Sequence, residues 1–239
     1  MKKLFTAAAL LLASCGSVAT ANEFTSVSYN HVDWHENSPG KDYNFVEVEK
    51  GGTYDWGSFY GFLDVERVDH IHNKDNMKLS GKAVFTITNE YNINDYIQAF
   101  GYAEKDFQVL DLVIGKQTNI SGNGWYFNPF LALQYSAINN NFADTYFEGV
   151  NGAMLGWNAG YFVTEKLQIS NWHEFTMFRD NTYLAVSGEK HDIGINGALA
   201  AWYHITPNLT TGLQYRYASN KLGSTHGSNG IIYTVKLNF

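Results

Sequence analysis

The sequence predicts an all-β fold, a twelve-stranded antiparallel transmembrane β-barrel, on three observations. Short segments alternate apolar and polar residues along most of the chain, as strands do when one face meets lipid and the other a lumen. The chain holds 16 Tyr, 16 Phe and 6 Trp, and its charged share is 16%, against about a quarter in soluble domains. An export leader opens the chain, and no later stretch reaches the ~18 consecutive apolar residues of a membrane helix.

The leader runs from Met1-Lys2-Lys3 through an apolar stretch, Leu4 to Ala13, to Ala19-Thr20-Ala21, an A-x-A cleavage pattern. Residues 1–21 are therefore expected to be a signal peptide and 22–239 one barrel domain. Cleavage there removes two lysines and no acids, taking the formal net charge from -7 to -9. Leu12-Ala13-Ser14-Cys15 offers a competing lipoprotein cut. With the cut after Ala21 the mature chain has no cysteine, which excludes disulfides, thiolate metal sites and cysteine nucleophiles.

Twelve strands are expected near 24–35, 42–50, 57–67, 77–88, 95–104, 107–116, 130–138, 150–163, 167–178, 191–205, 209–219 and 230–239. In "MKLSGKAVFTIT", Leu79, Gly81, Ala83, Phe85 and Ile87 share one face, and Lys78, Ser80, Lys82 and Thr86 the other. In "HDIGINGALAAWYHI", Ile193, Ile195, Leu199, Ala201, Tyr203 and Ile205 oppose Asp192, Asn196, Trp202 and His204. These apolar faces predict lipid contact and the polar faces a lumen. No amphipathic helix is predicted anywhere.

"TNEYNIN", "VTEK" and "ITPN" are short connections, whereas "RVDHIHNKDN", "INNNFADTYFEGV", "FRDNTYLAVSGEK" and "SNKLGSTHGSN" are long. Short turns belong at the periplasmic end and long loops outside. An even strand count puts both termini in the periplasm. The last nine residues, "IIYTVKLNF", alternate to the end, so pairing of the last strand with the first would keep Phe239 from fraying. Phe239 then suits the aromatic girdle and a signal for the barrel assembly machinery.

The richest stretch chemically is "FVEVEKGGTYDWGSFYGFLDVE". Alternation sends Phe45, Glu47 and Glu49 to the lumen from one strand, and Tyr60, Phe62, Asp64 and Glu66 from the next. Aromatic faces favour stacking with a nucleobase, and carboxylates accept hydrogen bonds from sugar hydroxyls. Tyr102, Trp172, Glu174 and Arg216 fit inward positions on other strands. The candidate channel lining is thus Phe45, Glu47, Tyr60, Phe62, Asp64, Glu66, Tyr102, Trp172, Glu174 and Arg216.

"GSFYGFLDVE" after a Gly-Gly turn, followed by "MKLSGKAVFTIT", resembles the Tsx-like nucleoside-specific channels of Gram-negative outer membranes, and "GLQYRYASNKLG…IIYTVKLNF" is similar as well. Tyr60, Gly61, Phe62 and Asp64 match that family's aromatic-Tyr-Gly-aromatic-x-Asp pattern. The resemblance implies a monomeric multi-pass barrel in outer-membrane lipid, with a narrow aromatic-lined channel that passes nucleosides passively, without reaction or cofactor.

Two alternatives stay open. "HGSNG", His226 to Gly230, matches the core of outer-membrane phospholipases, which need a third polar group to orient the histidine. In those enzymes it comes from a following strand, and here Asn220 is the substitute. The other alternative is a channel for other small solutes or cations, drawn by the acidic lumen. His70 and His72 flank Ile71 and offer two metal ligands without an evident third. There is no phosphate loop, and the negative charge disfavours nucleic-acid polymers.

Overall fold

The last strand does meet the first. Ser26 pairs with Asn238 and Trp34 with Gly230, in unbroken antiparallel register. The computed structural model describes residues 23–35, 42–70, 77–89, 91, 93–221, 223, 225 and 227–239. The leader cut, Cys15, His72 and His226 lie outside the described residues.

The strands are β1 (Phe24–Trp34), β2 (Tyr43–Tyr54), β3 (Gly57–Glu66), β4 (Lys78–Ile87), β5 (Ile93–Glu104), β6 (Phe107–Thr118), β7 (Ile120–Gly122), β8 (Trp125–Asn140), β9 (Thr145–Phe162), β10 (Leu167–Met177), β11 (Gly194–Thr206), β12 (Leu209–Ser219) and β13 (Gly227–Asn238). Apart from β6 and β7, each pairs with its neighbours in sequence, β13 pairs with β1, and β6 reaches past the three-residue β7 to pair with β8. The ring is therefore twelve antiparallel strands, closed, with β7 as a short extra strand on β8. Closure leaves no unpaired edge in lipid, where an unsatisfied backbone group costs several kcal/mol.

Alternation decides which face is which. Ser26, Ser28, Asn30 and Val32 of β1 are buried, whereas Val27 and Tyr29 are exposed. Leu131, Leu133, Ile114, Leu199, Leu213, Val235 and Leu237 are exposed on the outer face too. A soluble protein rarely shows so much contiguous apolar surface, and a bilayer requires it. Tyr54, Trp56, Trp125, Tyr161, Phe162, Tyr203 and Phe239 gather near the end that carries the termini, as an interfacial girdle does. Phe239 donates its N–H to the Thr25 carbonyl at 2.9 Å, and Asn238 donates to Asn208 at 2.9 Å. The last two residues are thus tied to β1 and to the β11–β12 turn, while Phe239 remains 76% exposed.

Three expectations need correction. The stretch 138–150 is mostly strand: β8 and β9 continue to the Asn140–Thr145 pair, around a tight turn at 141–144. β8 also begins at Trp125, five residues early, because Pro129 pairs with Trp157 inside the strand, although proline usually argues against a strand interior. Finally, the loop after β10 contains a helix, α1 (Asn181–Ser187). Asp180 caps it by accepting from the Thr182 N–H at 2.7 Å, which holds its carboxyl below the usual carboxylate range. Gly188 closes it at φ 76°, the left-handed conformation that glycine adopts without strain.

Helix α1 turns inward. Tyr183, Leu184 and Val186 bury themselves against Ile138 and Phe147 of the β8–β9 wall, with Phe107 and Val109 alongside. Arg179 fixes the loop from beneath. It is 3% exposed, pairs with Glu189, and donates to the carbonyls of His191 at 2.5 Å and Asn220 at 2.9 Å.

Candidate functional site

The inner wall is built from strands whose inward residues stand in register. Glu47 lies opposite Asp64, Glu49 opposite Phe62, and Phe45 opposite Glu66. On the next strand Ser80 faces Asp64, and Lys82 faces Phe62. Two like charges side by side, as at Glu47 and Asp64, destabilise a sheet, so hydroxyls and lysines are placed around them. Ser28 donates to Glu47 at 3.3 Å, and Ser80 lies 3.3 Å from both Asp64 and Glu66. Asp64 Oδ1 is buried, and the Asp64 carboxyl shares a side-chain hydrogen bond with Glu47.

Glu49 is held more tightly. Ser26 donates to it at 2.8 Å, Tyr60 donates its hydroxyl at 2.8 Å, and Lys236 forms an ion pair with it. The small serines of β1 leave room for Glu49 of β2 and Lys236 of β13 to meet over that strand. Lys236 also stands 4.8 Å over the Trp202 ring. Trp202 can lie flat on the wall because Gly212 is beneath it, where a Cβ would strike the indole.

The middle of the lumen is crossed by a second ion pair. Lys82, midway along β4, reaches Glu174, midway along β10, at 2.5 Å. Glu174 also accepts from Gln98 and Asn196, both at 3.2 Å. The Trp172 ring carries two cations, Lys82 at 5.1 Å and Arg216 at 4.8 Å from its centroid. Arg216 lies along the wall, donating to the carbonyls of Gly197 and Tyr217 at 2.8 Å.

This bar divides the lumen unequally. On one side stand β5, β6, β8 and β9. Their inward face is filled by Tyr96, Val113, Phe130, Ala132 and Met154, with Tyr96 stacked on Phe130 at 4.2 Å. Towards the long loops the filling continues as the α1 cluster. Between the two lies a buried polar ladder, in which Ser136 donates to Asp111 at 2.5 Å and Asn151 to Ser136 at 3.0 Å. On the other side are β3, β2, β1, β13, β12 and β11, which carry the carboxylates, Tyr60, Phe62 and the serines.

The candidate lining residues thus separate into groups. Glu47, Tyr60, Phe62, Asp64 and Glu66 stand together on the β2–β3 wall. The rings of Tyr60 and Phe62 are tilted, 6.3 Å apart. Trp172, Glu174 and Arg216 meet in the bar and its supports. Phe45 is 8% exposed and packs with Val32 and Ile232. Tyr102 sits edge-on to Phe107, with Lys78 5.5 Å over its ring. Sequence reasoning left Lys82, Lys236, Gln98 and Trp202 out of the lining. Their strand periodicity put Lys82 and Trp202 on a polar face, but nothing in the sequence shows which partner each meets.

Ser228 of the phospholipase-like segment lies on β13 opposite Ala218, and its hydroxyl is buried without a partner among the described residues. Asn220 is occupied: its side chain accepts from the N–H groups of Lys190 and His191 and donates to the carbonyls of His191 and Ile193. It is a loop clamp, and the hydrolase alternative has no support.

Comparison with solved structures gives the same architecture. The chain superimposes on the NanC porin with a TM-score of 0.57 at 8% identity, covering 88% of this chain and 98% of that one. It superimposes on the KdgM porin, solved in complex with disordered oligogalacturonate, with a TM-score of 0.50 at 12% identity, covering 90% and 99%. At such identities the likeness is one of fold. The family model of the nucleoside-specific channel-forming protein Tsx matches residues 21–239. With a closed twelve-strand ring, a lipid-facing exterior and polar inward faces, this chain belongs to the Tsx family of outer-membrane channels of Gram-negative bacteria.

Proposed function

We propose that the protein passes nucleosides by diffusion along the β2–β3 wall, with Tyr60 and Phe62 as stacking surfaces and Asp64 and Glu47 as acceptors for sugar hydroxyls. The observation that carries this is the juxtaposition, in strand register, of the Tyr60 and Phe62 rings with the Glu47 and Asp64 carboxyls on the β2–β3 wall. Membership of a nucleoside-specific family supports it. A nucleoside offers one flat apolar face and several hydroxyl donors, and it is neutral at pH 7. Affinity then comes from stacking and hydrogen bonds. Glu47, Glu66 and Phe45 shape the same wall, Tyr102 adjoins it across β4, and Trp172, Glu174 and Arg216 bound it from across the lumen.

The test is nucleoside flux into liposomes carrying wild type, Phe62→Ala or Asp64→Ala, with a hexose as control. Stacking is worth about 1–3 kcal/mol per base, so losing the Phe62 ring should weaken nucleoside binding by about tenfold. Hexose flux should not fall with it. Normal nucleoside transport by both variants would remove these residues from the path.

A further inference from the structure

The bar between β4 and β10 has a consequence for size selection. It joins side chains 92 residues apart in sequence, on strands separated by four others one way round the ring and by six the other. Both of its ends are fixed. Glu174 is held by Gln98 and Asn196 as well as Lys82, and the Lys82 ammonium rests over Trp172. Its side chains are 15% and 9% exposed. Behind it the four-strand sector is filled by the apolar cluster of Tyr96, Val113, Phe130, Ala132 and Met154. In front of it Lys82 is the register neighbour of Phe62. The bar therefore stands directly beside the ring that we assign to the path.

We propose that the Lys82–Glu174 pair is the size filter of the channel, a specificity-determining element that limits solutes to about the width of a nucleoside by obstructing the lumen rather than by binding. Pore width is one of the basic determinants of selectivity. This inference rests on the channel reading but not on the preference for nucleosides.

The experiment compares wild type, Lys82→Ala/Glu174→Ala and the exchange Lys82→Glu/Glu174→Lys. Removing both partners avoids a stranded buried charge. Folding is checked by heat-modifiable migration. Single-channel conductance is measured in planar bilayers, and influx of nucleoside, hexose and disaccharide in liposomes. Wild type should exclude the disaccharide. The double alanine variant should admit it and conduct severalfold more current, and the exchange should restore exclusion. A folded double variant with wild-type conductance and size limit overturns the proposal. So does disaccharide entry into wild-type liposomes at the nucleoside rate, which decides the matter even if the double variant fails to fold. Equal influx of nucleoside and hexose, with the disaccharide excluded, would remove the nucleoside preference and leave the filter standing.

Discussion

Arg179 and Glu174 show what a buried charge needs inside a barrel. Each is surrounded by partners that account for most of its hydrogen-bonding capacity: Glu174 by Lys82, Gln98 and Asn196, Arg179 by Glu189 and three backbone carbonyls. Removing one partner of a buried pair strands the other, at about 3–5 kcal/mol. Arg179→Ala should accordingly lower the temperature at which the folded band is lost in electrophoresis, whereas Arg179→Ala/Glu189→Ala should recover part of it. Equal loss in both variants would mean that the backbone contacts, not the pair, hold the loop. At this scale the sequence was partly legible. Period-2 alternation placed Phe62, Asp64 and Glu174 on the inner face, because neighbouring side chains of a strand must point to opposite sides. It could not show that Glu174 meets Lys82, since that contact depends on the width and stagger of the closed ring.

Strands were the legible elements. All twelve barrel strands appear where lipid and lumen impose alternation on the chain. Helix α1 escaped because seven residues make only two turns, too few to display a helical period. The inner apolar filling escaped for a different reason. Tyr96, Val113, Phe130 and Met154 face inward but are apolar, so they break the rule that inward residues are polar, and only the structure shows that this sector is packed rather than open. The last strand carries a prediction of its own. Phe239 is hydrogen-bonded through its backbone, yet the residue is exposed at the rim, and we propose that assembly reads it. Deleting Phe239 should reduce the heat-modifiable folded form in the membrane, while the molecules that do fold transport normally. Unchanged folded yield would show that assembly does not depend on that ring.

The whole molecule combines two designs in one ring. Four strands and α1 enclose an apolar interior, as in a small closed barrel, and the remaining wall lines the other side of the bar with carboxylates, hydroxyls and rings. A passage with a weak binding site has a measurable signature. When a nucleoside dwells beside Phe62 it obstructs the ions that share the path. Single-channel current through the wild-type protein, recorded while nucleoside is added, is the most direct measurement. Current should fall saturably with nucleoside concentration, whereas a hexose at the same concentrations should leave it nearly unchanged. Equal reduction by the two solutes, or none by the nucleoside, would contradict a binding site beside Phe62.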